Sequence, residues 1–214
     1  MSDATYRNVD SGADFYYPIP DLDSELIEKL GFIPGLKEFL VLRQVHALEH
    51  ATVWMLSNLD RAVNYKNLLD FSAKDNQSIG GLSTEKGFYL YGEINPLKLK
   101  RAVTLALTRL QQGEWNLAIH PRCGTNSSVE TMLSAGMALT AHFLLPQEPV
   151  EQLLGFGLAT ALARYLAPEV GMSVQKYITT AIPFNLKIKN IVKTADSWGR
   201  SGYFVGLQWQ SKLS

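Results

Sequence analysis

The stretch His46-Ala47-Leu48-Glu49-His50 lies inside an apolar run over residues 35–57 that contains no proline and no second glycine. Such a run predicts one long helix. Residues four apart share a helix face, so His46 and His50 point the same way and Glu49 lies at the edge of that face. A helix this apolar is mostly buried, and its buried polar side chains need partners, of which a metal ion is one.

The pattern H-x-x-E-H is the inverted form of the zinc-peptidase helix motif. Two imidazoles one turn apart, His46 and His50, would bind the metal, and the carboxylate of Glu49 would take a proton from a metal-bound water. The structural alternative is a pair of helical histidines, one partly buried and one solvated. A five-residue pattern alone does not decide between them.

A second stretch, HPRCGTN at residues 120–126, holds the single cysteine of the chain and another of its four histidines. His120 and Cys123 on a tight loop predict two more zinc ligands, or one ligand and a thiol nucleophile. The alternative for Cys123 is a small buried hydrophobe. The polar neighbours expected to line the site are Arg43, Arg122, Thr125 and Asn126.

The composition bounds the class of protein. The 214 residues are 46% apolar and 19% charged, with 20 basic and 20 acidic side chains. A net charge of zero argues against nucleic-acid binding, and the low charged fraction favours a large core or a membrane-contacting surface. A single cysteine excludes an intrachain disulfide and suits a reducing compartment. Because residues 1–20 have no apolar core segment, we expect no signal peptide. The expected location is the cytoplasmic side of a membrane, with which the protein associates.

Three regions are expected along the chain. Residues 1–33 form a lead-in with one short helix, residues 34–183 a single metal-site domain, and residues 184–214 a strand-like tail. The domain includes a helical hairpin over residues 127–166, whose apolar segments are shorter than the roughly 20 residues of a membrane span. The hairpin, through residues 131–163, or the aromatic tail is the expected contact with a membrane or membrane protein.

The expected fold class is α+β and mostly helical, with the long motif helix packed on a small sheet. Strands at 88–91 and 115–119 flank a helix at 97–112, an order typical of a βαβ unit, which would place the His120 loop at the carboxyl end of a strand. Residues 58–81 are expected to be a mobile connection that gates the site, and residues 79–83, with Gly80 and Gly81, a flexible hinge or a site of close approach. Pro168 and Gly171 are expected to break the helical pattern, and 184–188 and 203–209 to be strands.

The segments HALEHATV, HPRCGTN and GMSVQKYITT, in this order, resemble the YqhQ-like bacterial proteins of unknown function, which are described as metal-dependent membrane proteins. The resemblance extends over residues 34–183 and is greatest to a smaller domain-of-unknown-function branch from photosynthetic bacteria. It implies that His46, Glu49, His50, His120 and Cys123 form the polar signature of the family. Two departures are the Ser57 that stands where the larger family often has a second glutamate, and the short apolar segments.

These observations leave three functions. The first is a zinc- or other transition-metal-dependent hydrolase with Glu49 as the general base. The second is a non-enzymatic, membrane-associated assembly or scaffold protein with a structural metal, because four protein ligands close a zinc site. The third is a cysteine enzyme with Cys123 as nucleophile.

Overall fold

The chain folds as a mostly helical α+β protein, as predicted. The computed structural model describes residues 20–61, 78–196 and 199–211. The helices are α1 (Leu22–Leu30), α2 (Leu36–Arg61), α3 (Pro96–Gln111), α4 (Gly124–Leu144) and α5 (Pro149–Val174), with a 3-10 turn at Trp115–Ala118 and a π-helical turn at Gln175–Thr179. The strands are β1 (Gly80–Thr84), β2 (Gly87–Tyr91), β3 (Leu186–Ala195) and β4 (Ser201–Trp209).

Helix α2 is the centre of the core, and the predicted long helix is confirmed. It begins after Gly35, whose φ of 81° suits the residue that precedes the helix. Val45 and Leu48 are fully buried. Helix α3 packs beside α2, and the Asn95 side chain caps its first turn. The other fully buried apolar side chains of the core are Ala47, Ala51, Phe88, Leu90, Leu99, Ala102, Val103, Ala106, Leu110 and Val205.

The sheet is antiparallel throughout, with strand order β1-β2-β4-β3. The predicted βαβ unit is therefore wrong. The segment expected to be a strand at 115–119 instead forms the short 3-10 turn, which buries Leu117 and Ala118 against α2. A buried turn has the same run of apolar residues as a short strand. The sequence pattern therefore did not distinguish the two.

Gly80 and Gly81 belong to strand β1, and of the two roles predicted for this segment the structure shows a close approach, that of Glu49 to Gly81. The two-residue turn Glu85-Lys86 joins β1 to β2, and Gly80 and Gly81 are in register with Tyr91 and Leu90. The rest of the predicted gate falls mainly on residues 62–77, which lie outside the described residues. The two strands predicted in the tail are confirmed as β3 and β4, and β4 pairs with β2 in the same sheet.

Helices α4 and α5 form an antiparallel hairpin with a close interface. The buried residues of α5 are all small and recur every fourth position: Gly155, Ala159, Ala163, Ala167 and Gly171. Small residues at this spacing let two helix backbones approach closely. The helix continues through Pro168 to Val174, so the predicted break there is wrong; the packing on α4 outweighs the one backbone hydrogen bond that proline removes.

The outer faces of this hairpin are apolar. The large side chains that are more than half exposed are Met132, Leu139, Phe143, Leu144, Val150, Leu153, Leu154, Leu158, Leu162 and Tyr165. Over the residues that the structure describes, we find no helix whose length and apolar character suffice to cross a membrane.

Candidate metal centre

Three potential metal ligands meet beside α2. His46 and His50 come from successive turns of this helix, and Cys123 comes from the loop before α4. Their ligand atoms all lie within 4.8 Å of one another, and His46 Nε2 is 3.2 Å from Cys123 Sγ. Tetrahedral zinc places nitrogen and sulfur ligands about 3.5 Å apart, as follows from its bond lengths. The spacing therefore fits a transition-metal ion with small adjustments.

Backbone carbonyls fix the orientation of both imidazoles. His46 Nδ1 lies 3.0 Å from the Thr179 carbonyl oxygen, and His50 Nδ1 lies 2.7 Å from that of Ala118. A carbonyl only accepts, so each Nδ1 carries the proton and donates it. In the neutral ring, each Nε2 is then left with a lone pair for a metal. Metal-binding histidines in proteins are oriented in this same way by an outer hydrogen bond.

Cys123 occupies the N-cap of α4, where the amide of Thr125 donates to its sulfur at 3.4 Å. Burial alone would raise the pKa of the thiol. The hydrogen bond and the charge of His50, together with the hydrogen bonds from Thr125, outweigh burial, so the pKa lies below its ordinary value. A lowered thiol pKa favours the thiolate, which is the form that binds metals.

Glu49 lines the same cleft and is nearly buried, with 8% of its surface exposed. The Ser83 hydroxyl donates to its carboxylate at 2.5 Å. Burial raises the pKa of this carboxyl, while the Ser83 hydrogen bond and the charge of His46 partly oppose the rise. A Cβ atom at Gly81 would overlap the carboxylate, so only glycine there allows the observed position of Glu49.

The predicted ligand His120 lies next to the group of three but outside it. Its ring centroid is 5.6 Å from that of His50 and 4.8 Å from that of Trp54. The Arg122 amide donates to its Nδ1 at 3.3 Å. Of the described residues, His46, His50 and Cys123 therefore form the group that could hold a metal ion.

The other predicted site residues divide into two pairs. Arg122 and Thr125 line a cleft of about 470 Å³ together with the three ligands and Glu49. Arg43 and Asn126 are not in its lining. Arg43 donates to the carbonyls of Tyr177 and Thr180, and the Asn126 amide group donates to the Pro121 carbonyl at 2.7 Å. These two side chains support the surrounding backbone.

Gln175 is a site-building residue that the sequence analysis missed. It is fully buried in the π-helical turn, accepts from the His120 amide at 2.9 Å and donates to Asn126 at 2.7 Å. The same turn supplies the Thr179 carbonyl that orients His46. Local π-helical geometry is frequent at functional sites. A lone glutamine in the amphipathic segment 171–180 was the available signal.

Replacing Gln175 with alanine should lower the free energy of unfolding by about 2–4 kcal/mol, because it creates a cavity and leaves the His120 amide and Asn126 without their partner. Chemical denaturation measures this loss. The control is Gln112→Ala, at an exposed glutamine that follows α3, which should change stability by less than about 0.5 kcal/mol. Equal effects of both substitutions would show that Gln175 does not hold the loop.

Comparisons with known proteins agree with a family of unknown function. An uncharacterized protein from Picosynechococcus sp. is 46% identical over 206 residues, which cover 96% of this chain and 98% of that protein. No solved structure matches the chain significantly. The model of the family described as "Domain of unknown function (DUF6391)" matches residues 41–191, which include both sequence motifs. The specific relation to YqhQ-like proteins stays a prediction, and the chain belongs to the DUF6391 family.

Proposed function

We propose that this protein is a zinc-dependent hydrolase in which His46, His50 and Cys123 are the metal ligands and Glu49 is the general base. The observation that carries the proposal is the convergence of two oriented Nε2 atoms and one thiol sulfur at a cleft. Imidazole nitrogen and thiolate sulfur are ligands that suit zinc. Catalytic zinc sites typically have three protein ligands, whereas structural sites have four.

Zinc bound here would lower the pKa of a coordinated water to roughly 7. Glu49 lies on the same helix as the two histidines and faces the same cleft, so its carboxylate is placed to accept the proton. Burial raises the pKa of this carboxyl in the metal-free protein, and a general base of this kind also functions as the acid that returns the proton. The Ser83 hydrogen bond holds the carboxylate in position, and the lack of a side chain at Gly81 leaves room for it.

The test is hydrolysis by zinc-loaded protein of a panel of model amides, peptides and carboxylic esters, compared with the Glu49→Gln variant. The expected result is zinc-dependent turnover of at least one class, lost in the variant and after chelation. Zinc bound in stoichiometric amount without any turnover above the variant would instead indicate a structural metal.

A second candidate function is a membrane-associated scaffold, and the exposed apolar surface of the α4–α5 hairpin favours it. Between Glu130 and Glu148 the hairpin has no Asp, Glu, Lys or Arg. Apolar side chains on several faces suit lipid better than a one-sided protein groove. In this function the metal would pin the Cys123 loop to α2, and the hairpin would lie against a bilayer.

For the scaffold function we expect the protein to float with anionic phospholipid vesicles in a density gradient at high salt. Leu153→Glu combined with Leu158→Glu should abolish flotation, since both side chains are more than 70% exposed and charge is costly in lipid. The control is Leu97→Glu, at an equally exposed leucine on α3. Wild-type protein that stays entirely at the bottom of the gradient would rule this function out.

A further inference from the structure

Strand β1 lies at one edge of the sheet. It pairs with β2 on one side, and within the described residues no strand pairs with its other side. Gly80, Gly81 and Leu82 are exposed. An edge strand has backbone N–H and C=O groups that a further extended chain can pair with.

The register shows which residues offer these groups. The Leu207 amide donates to the Lys86 carbonyl, so Lys86 and Phe88 direct their backbone groups toward β4. Because hydrogen bonding alternates along an antiparallel strand, Gly87, Tyr89 and Tyr91 point toward β1. Their partners are Thr84, Leu82 and Gly80. Gly81 and Ser83 therefore direct their N–H and C=O groups to the open edge.

Gly81 and Ser83 are also the residues next to Glu49, the proposed general base. Ser83 donates its hydroxyl to Glu49, and Gly81 is the position where a Cβ would overlap the Glu49 carboxylate. Five consecutive residues, from Ile79 to Ser83, line the cleft that contains the three metal ligands. The open edge thus runs along the cleft and beside the proposed catalytic centre.

We propose that β1 binds an extended polypeptide as an additional strand, through the backbone groups of Gly81 and Ser83, and thereby presents a peptide bond to the metal centre. This inference rests on the proposed hydrolase function and specifies its substrate class. An N–H and C=O row at strand spacing matches the backbone of a peptide, and β-strand addition is a recurring mode of peptide binding. Residues 79–84 include no charged side chain, so this strand offers its backbone groups for binding.

The reaction is a hydrolysis and balances with water alone. The water oxygen bonds to the peptide carbonyl carbon, Glu49 takes the proton, and the C–N bond breaks as the nitrogen leaves. Glu49 then returns the proton to the nitrogen, which gives a carboxyl group and an amine. The neighbouring exposed Leu82 offers an apolar contact to a side chain of the bound strand.

Binding is measured separately from turnover in the Glu49→Gln background, with fluorescein-labelled, dephosphorylated β-casein as an unfolded polypeptide probe and fluorescence anisotropy as the readout. Adding Ser83→Pro removes the outward N–H, a substitution that edge strands tolerate, and should weaken casein binding about 10-fold, as expected for one lost backbone hydrogen bond whose acceptor is left unpaired. The matched control is Ser83→Ala, which removes the hydroxyl but keeps the backbone donor and should stay within about twofold. Zinc affinity should be unchanged in both.

A second measurement does not depend on the folding of the proline variant. An acetylated octapeptide of alternating alanine and leucine should compete with casein, and its fully N-methylated counterpart should compete at least about 10-fold less well, because it lacks every N–H donor. Equal casein binding by the Ser83→Pro and Ser83→Ala variants, or equal competition by the two peptides, would overturn strand addition. Hydrolysis of small esters with no casein binding would overturn this inference alone, whereas casein binding without any turnover by the Glu49-containing protein would overturn the hydrolase function alone.

Discussion

Replacing Cys123 with serine should lower the zinc affinity of the protein more than about 100-fold. Loss of an outer-shell partner already costs 10- to 100-fold in typical zinc sites, and loss of a ligand costs more. Binding to the folded state alone also stabilises it, by about 4 kcal/mol at a free zinc concentration 1,000 times the dissociation constant. The variant should lose this stabilisation, so its melting temperature should no longer respond to zinc or to chelator.

His46→Ala and His50→Ala should behave like the cysteine variant. The control is His142→Gln, because His142 lies on exposed α4 and bonds to Gln152, away from the site. His120→Gln should reduce zinc affinity less than the other two histidine variants, since His120 lies outside the group of three ligands. If Cys123→Ser leaves zinc binding intact while activity disappears, the cysteine acts as a nucleophile and its assignment as a zinc ligand fails.

Replacing Glu49 with glutamine should lower turnover by about 100- to 10,000-fold, the contribution of a positioned general base. Zinc affinity should change little, because Glu49 is not in the ligand group. Glutamine keeps an oxygen that can accept from Ser83, so the position of the side chain is retained. Steady-state kinetics on the best model substrate, with zinc content measured on the same sample, checks both statements.

A proportional loss of zinc and activity in the Glu49→Gln variant would contradict the assignment of Glu49 as a base. It would indicate that this carboxylate mainly orients a ligand. Ser83→Ala provides the intermediate case, because it removes one hydrogen bond to the carboxylate but keeps the charge. We expect it to lower turnover less than the glutamine substitution does.

Helix α2 and its cluster of polar residues were predictable because the pattern that specifies them lies within one continuous stretch of sequence. An uninterrupted apolar run with histidines one turn apart specifies both a helix and a shared face. The presence of the sole cysteine in a second polar motif then connected two distant segments. The structure brings Cys123 to His46 and His50 as that pattern indicated.

The 3-10 turn, the role of the glycine pair and the choice of ligands depended on tertiary packing, which sequence patterns do not encode. Trp115–Ala118 and a short strand have the same apolar composition, and only the surface of α2 selects the 3-10 turn. The Gly80-Gly81 pair suits a hinge or a close approach, and only tertiary packing shows that Glu49 approaches the backbone of β1 at Gly81. Packing also decides which of the four candidate ligands lie together. Gln175 accepts a hydrogen bond from the His120 amide and so positions the loop that carries His120.

X-ray absorption at the zinc edge, on protein loaded with zinc and dialysed, tests the metal centre most directly. The account predicts zinc bound in stoichiometric amount with one sulfur at about 2.3 Å and three nitrogen or oxygen ligands at about 2.0–2.1 Å, of which two are imidazoles. The sulfur should be absent from the Cys123→Ser variant. A wild-type protein that retains no zinc, or that binds zinc with no sulfur in its first shell, would contradict the account.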